Sequence, residues 1–186
     1  MARAKLPADP FADVRAATVQ HRAHHGCGAY PYGNGPLLGA LAGAANARRI
    51  LELGTALGYT ALWFAHGAPE AVVDTIERDV EHVRLARGHV AARGLAGRIV
   101  VHQGDFAPTL RRLDPGYDVA FFDGFTPTPA ILTELRRLLR PRGLLISANL
   151  THGGEAVAYR DALLDAAAWL TAFVDEDQET AISIKL

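Results

Sequence analysis

The chain is poor in sulfur: 186 residues hold one cysteine, Cys27, and one methionine. A lone cysteine excludes an intrachain disulfide and fits a reducing compartment. Excess charge is also missing. Nineteen Lys and Arg stand against 20 Asp and Glu, for a formal net charge of −1. That balance removes the electrostatic reason to expect nucleic acid or an anionic membrane surface as a partner. No apolar run approaches the roughly 20 residues of a membrane span, and the opening MARAKLPADP lacks the apolar core of a signal peptide. A cytoplasmic protein is therefore expected. There is no repeat, low-complexity tract or linker, so 1–186 reads as one domain, long enough to bury a core. What is abundant is ordinary or uninformative. Hydrophobic residues make up 49%, and the wealth of Ala, Gly and Arg reads as a genomic bias.

Residues 1–10 read as a loose lead-in, with Asp9 and Pro10 placed to start a helix. Phe11, Val14 and Val19 have helical spacing over 11–25, and Gly26 and Gly28 end that run. A turn-rich AYPYGNG leads to a second helix from Pro36 to about Asn46. Strand and helix then alternate. Strands are expected at 49–53, 71–76, 98–102, 117–122 and 143–148, with helices near 58–66, 79–93, 107–112 and 128–139. Such alternation argues for a parallel sheet covered on both faces. After a helix near 155–167, the strands 169–174 and 180–186 flank the polar turn DEDQE, which implies an antiparallel hairpin.

The stretch that organises this pattern is RILELGTALGYT, residues 49–60. Ile50, Leu51 and Leu53 read as buried strand residues. Gly54 and Gly58 let the backbone approach something bulky, and Tyr59 and Thr60 open a helix. In open α/β sheets this corner binds nucleotide-like ligands. The G-x-G-x-x-G of dinucleotide-binding domains is absent, since Ala56 stands at its middle position, and the chain is too short for a separate substrate domain. NAD binding is not expected.

The run LELGTALGYTALWFA, the strand end YDVAFFDG, the segment LLRPRGLLISAN and the final TAISIKL, in that order, resemble the class I S-adenosylmethionine-dependent methyltransferases. More narrowly they resemble the catechol and caffeoyl-CoA O-methyltransferase family, over roughly Gly35 to Leu186. The resemblance implies a Rossmann-like α/β fold: a mostly parallel seven-stranded sheet with an antiparallel last strand and helices on both faces. It implies S-adenosylmethionine as cofactor. Gly54 and Gly58, with Tyr59 and Thr60, would lie against its amino-acid part, and Glu52 would help shape that pocket. Glu77, beside Arg78, would accept hydrogen bonds from the ribose hydroxyls. The alternative for Glu77 is a solvated strand-end acid paired with Arg78. Gly104, Asp105 and Phe106 fall where adenine contacts are usual, though Phe106 fits a core position equally well. Asp123 would stand beside the transferred methyl group.

The acceptor half departs from the resembled family. There, a divalent cation is held by an Asp after the fourth strand and an Asp–Asn pair after the fifth, and a Lys three residues past the first Asp serves as base. Asp123 and Asn149 are kept, but Ala148 replaces the second Asp and Thr126 the Lys. Loss of a carboxylate weakens a hard-cation site, so Mg²⁺ dependence is doubtful. His152 stands where an aromatic residue is usual and has the chemistry of a general base near neutrality; a plain loop histidine is the alternative. His21 and His25 share a helix face near His24 and Cys27, a spacing able to bind zinc, but no second pair follows in sequence and a solvated face is expected. His24, His25 and Tyr30 are candidates for touching the acceptor. His66, His82 and His89 read as surface residues, and His102 as structural or near the cofactor. The implied function is O-methyl transfer to a small-molecule hydroxyl without the usual metal. A metal-dependent enzyme using Asp123 and Asn149, and a non-catalytic cofactor-binding protein, are the alternatives. By analogy a homodimer is plausible.

Overall fold

The computed structural model describes residues 8–186; of the lead-in expected at 1–10, residues 1–7 lie outside that range. In chain order the elements are α1 (Ala12–His25), α2 (Gly35–Ala44), β1 (Arg49–Leu53), α3 (Tyr59–Gly67), β2 (Val72–Glu77), α4 (Val80–Ala91), β3 (Ile99–Gln103), α5 (Phe106–Leu110), β4 (Tyr117–Phe122), α6 (Pro129–Leu138), β5 (Leu139–Ser147), α7 (Ala156–Leu163), β6 (Trp169–Phe173) and β7 (Ala181–Lys185). Asp9 does help to start α1, since its Oδ1 accepts from the Phe11 N–H at 2.9 Å. Asn34 and Thr128 cap α2 and α6 through their side chains, each ahead of a proline in the first turn.

The seven strands form one sheet in the order β3-β2-β1-β4-β5-β7-β6. β1 to β5 run parallel, and β7 runs antiparallel to both β5 and β6. The closing hairpin therefore does not simply extend the sheet. Its second strand inserts beside β5 and leaves β6 at the edge. The order reverses between β1 and β4, which opens a crevice at the carboxyl ends of those strands.

Period-two alternation sends side chains to two separate cores. Ile50, Val119 and Phe121 face one core with Leu38, Phe64 and Val73. Leu51, Leu53, Ala120 and Phe122 face the other with Leu135, Tyr159 and Leu163. Tyr117 joins the second core against the alternation because the β4–β5 register shifts between Tyr117 and Val119. The same irregularity lets β5 begin at Leu139 rather than at 143. α7 ends at Leu163, short of the expected 167, because the Ala168 and Trp169 N–H groups both turn back to the Asp165 carbonyl at 2.9 Å.

Candidate active site

The crevice between β1 and β4 holds a cavity of about 580 Å³. Its first wall is the turn after β1. Gly54 has φ +102° and Gly58 φ +95°, both left-handed. A Cβ on Gly54 would stand 2.9 Å from the Asp123 carbonyl oxygen, so the β1 and β4 ends approach closely only because that residue is glycine. Gly58 is also the N-cap of α3, whose first-turn N–H groups lack partners within the helix. The turn is closed by Gly58 N–H donating to the Thr55 carbonyl at 2.8 Å. Behind it, His89 Nδ1 lies 2.9 Å from the Leu57 carbonyl, so this half-buried histidine supports the turn instead of standing free on the surface.

Glu77 joins three segments of the wall. Its Oε2 accepts from the Ala56 N–H at 2.9 Å and its Oε1 from the Asp79 N–H at 3.0 Å. Its carbonyl accepts from the Gly104 N–H at 2.9 Å. No ion pair to Arg78 forms; Arg78 is exposed and lines the cavity beside Glu77. A carboxylate has about four lone-pair sites, so Glu77 can hold the turn and still accept hydroxyl groups from the cavity. Gly104, Asp105 and Phe106 line the cavity next to it. Phe106 packs on the second core 6.3 Å from the Phe122 ring and also shows a side to the cavity. Thr60 and Tyr59 line the cavity too, the Tyr59 hydroxyl donating to Asp9 Oδ2 at 2.8 Å.

Two acids lie where the β1 and β4 ends meet. Asp123 lines the cavity and accepts from Asn149 Nδ2 at 3.1 Å. Burial, and then the charge of Glu52, push its carboxyl up to about 8. Glu52 is 0% exposed and stands behind the cavity wall. Thr75, its register partner on β2, donates to Oε2, while Oε1 has no partner. Burial pushes Glu52 up to about 7, opposed by the threonine hydroxyls.

The opposite wall is aromatic. Tyr30, Tyr32, Phe125 and Ile131 line it, with Thr126 and Thr128 between them. Tyr30 and Phe125 meet edge to face at 6.2 Å across the mouth, and the Arg22 guanidinium stacks on Tyr30 at 3.7 Å. Gly28 sits under Phe125, where a Cβ would come within 2.6 Å of the ring.

Several expected site residues are elsewhere. His152 is exposed on the loop before α7, with its N–H donating to the Asn149 carbonyl at 3.1 Å, and it does not line the cavity. His24 and His25 are exposed and also miss the cavity. His102 is structural: it lies 2.7 Å from Asp74, which also accepts from the Tyr117 hydroxyl at 2.8 Å. His82 corrects the surface reading. It is 6% exposed, lines the cavity and stands near His21 and Cys27. The one sequence sign of this was Asp79, whose N-cap bonds to the Glu81 and His82 N–H groups fix the first turn of α4 against Glu77.

A parallel sheet that reverses between β1 and β4, an acid at the end of β2, a glycine turn after β1 and an antiparallel β7 together define the class I methyltransferase architecture. Within it, the chain belongs to the methyltransferase domain family, whose profile matches residues 51–149. The catechol O-methyltransferase of Mycobacterium tuberculosis (strain ATCC 25618 / H37Rv) is 35% identical over 130 residues, 68% of this chain and 59% of that protein, so the chain spans less than two thirds of that relative's length. A provisionally named O-methyltransferase of Mycobacterium sp. (strain JLS) is 32% identical over 171 residues, 89% of this chain and 78% of that one. In fold, the O-methyltransferase from Bacillus cereus, solved in complex with S-adenosylhomocysteine, has a TM-score of 0.82 at 21% identity, covering 98% of this chain and 94% of its own. TomG from Streptomyces achromogenes, an O-methyltransferase involved in tomaymycin synthesis and solved with S-adenosylmethionine, has a TM-score of 0.78 at 22% identity, covering 93% and 89%.

Proposed function

We propose that the protein methylates a hydroxyl of a small aromatic acceptor with S-adenosylmethionine, and does so without the divalent cation of catechol-type enzymes. The observation that carries this reading is the shared cavity, in which Glu77, the turn residues Gly54, Thr55 and Ala56, and Asp123 face a wall of Tyr30, Tyr32 and Phe125; Gly58 shapes the turn without lining the cavity. The residues fit the cofactor. Glu77 has lone pairs left for the ribose hydroxyls, Phe106 offers an apolar face to a base, and the α3 N-terminus offers unpaired N–H groups to a carboxylate. When bound, S-adenosylmethionine supplies the electrophilic methyl group on a sulfonium.

The chain's own part is orientation and proton transfer. The aromatic wall holds a flat acceptor against the cavity floor. Asp123 Oδ1 is engaged by Asn149, which leaves Oδ2 to take the acceptor's hydroxyl proton. A carboxylate with its basicity raised toward neutrality suits that task better than an ordinary one. His152 is too far out on its loop to line the cavity, so the base role passes to Asp123.

A Mg²⁺ site does not fit. The donor set is one carboxylate, because Ala148 and Thr126 bring no charge, and Asn149 directs Nδ2 at Asp123 and at the Gly124 carbonyl (3.2 Å). Mg²⁺ wants near-octahedral oxygen ligands. The test is turnover of a panel of phenols and catechols, read as S-adenosylhomocysteine release. The expected result is a rate unchanged by adding Mg²⁺ to metal-stripped enzyme, reduced about 100-fold or more by Asp123→Asn and little changed by His152→Ala. A rate that appears only with Mg²⁺, or that disappears with His152→Ala, would reverse the assignment.

A further inference from the structure

The second cluster in this molecule stands at the other end of the cavity, by Glu77. α1 ends at Gly26, whose φ of +61° turns the chain back along the helix. That reversal brings Cys27 beside His21. The first turn of α4, pinned by the Asp79 cap, brings His82 to the same place. One ligand-type atom from each of His21, Cys27 and His82 lies within 4.8 Å of the others. The His21 and His82 rings meet edge to face at 5.1 Å, and His25 stacks on His21 at 4.4 Å.

His82 supplies the independent sign of a ligand. It is buried, yet its Nε2 has no hydrogen-bond partner, which is uncommon for a polar atom inside a protein. Its other nitrogen, Nδ1, is 3.8 Å from Glu77 Oε1. Metal-ligating histidines commonly donate their second N–H to a carboxylate; here Nδ1 faces the Glu77 carboxylate from beyond hydrogen-bond length, so the two would have to close together as the ion binds.

We propose that His21, Cys27 and His82 bind a zinc ion, with the fourth position open to the cavity that Cys27 and His82 line. Two imidazoles and a thiolate suit a borderline-soft divalent cation and not a hard one. Tetrahedral zinc with bonds of about 2.0–2.3 Å needs its ligand atoms roughly 3.5 Å apart. The cluster must therefore contract by about 1 Å, which the partly exposed His21 and Cys27 side chains can supply by rotation. On binding, the Cys27 thiol gives its proton to solvent and the thiolate takes the metal. The ion would join the Cys27–Tyr32 segment, which walls the cavity mouth, to α4. This site is separate from Asp123 and Asn149 and does not depend on the methyl-transfer reading.

The test uses the whole chain, stripped of metal and titrated with Zn²⁺ against a chromophoric chelator, then with Co²⁺ as a spectroscopic stand-in. The expected result is one equivalent of Zn²⁺, and for Co²⁺ a tetrahedral visible spectrum with a thiolate charge-transfer band. Cys27→Ser should remove that band and weaken Zn²⁺ about 100-fold or more, and His21→Ala should weaken it similarly. Both positions are partly exposed, and an unchanged circular dichroism spectrum shows that each variant is folded. His82→Ala should abolish binding, and if it fails to fold the other two variants still decide. No Zn²⁺ binding, a Co²⁺ spectrum without the thiolate band, or affinity that survives Cys27→Ser but is lost in Asp123→Asn would overturn the proposal.

Discussion

Glu77 has two duties that pull in the same direction. It fixes the turn through the Ala56 and Asp79 N–H groups, and it presents an acid to the cavity. Glu77→Gln keeps the shape but turns an NH₂ toward one of those donors. The expected result is a loss of about 1–3 kcal/mol in stability and S-adenosylhomocysteine binding weaker by about tenfold or more, read by calorimetry. Unchanged affinity would mean that the acid only holds the turn. At this scale the sequence was informative where function rests on neighbours in the chain. Gly54, Gly58 and Glu77 could be placed from the order of strand, glycine, strand and acid. His82 could not, because its helix reads as polar and solvated. Glu77 is its near neighbour in the chain, but only the fold brings His21 and Cys27 to it from α1 and the loop that follows. Glu52 shows the same limit: its strand position was legible, but not that one of its oxygens would be buried without a partner.

Among the helix pairs, α2 and α3 make the tightest contact. A Cβ on Gly67 would fall 2.0 Å from the Gly39 carbonyl oxygen, and one on Gly43 would fall 2.9 Å from that of Gly67. The helices touch through backbone, so no side chain can swing aside. Gly67→Ala should force them apart and cost about 1–3 kcal/mol, lowering the melting temperature by about 2–12 °C at 2–4 °C per kcal/mol. Because α3 begins at the cavity wall, cofactor affinity should fall with it. A melt equal to wild type would show that the contact is not tight. Element types and most bounds were legible, since hydrophobic period and turn chemistry are local. β1 and β4 fall where the residues indicated. β5 did not, because its early start depends on a register irregularity with β4 that no local pattern encodes.

For the whole molecule, two acids, the fully buried Glu52 and the half-buried Asp123, set a pH dependence. Asp123 and Glu52 both titrate higher in the folded chain than when unfolded. Between their unfolded and folded values the native state binds more protons than the unfolded state. These acids therefore lower stability as pH rises from about 4 to about 8, and the loss levels off above that. The melting temperature of the cofactor-free protein should fall over this range, and Glu52→Gln should flatten the fall. The cofactor's positive charge favours the ionised acids, so its affinity should rise with pH across the same window and its binding should release protons, measurable by calorimetry in buffers of different ionisation enthalpy. A melting profile that rises toward pH 8 would contradict the raised values.

By itself the sequence determined the order and type of the elements, the methyltransferase class and the glycine turn and strand-end acid that border the cavity. These follow from patterns within a few dozen residues, where backbone sterics, glycine placement and hydrophobic period act. Tertiary structure alone decided which groups meet across the chain. It placed β7 between β5 and β6, buried Glu52 behind the cavity that Asp123 lines, left His152 away from the cavity and gathered His21, Cys27 and His82. Each of those outcomes depends on packing between distant segments. Burial, the charge of a neighbour and the absence of a partner exist only once that packing has formed.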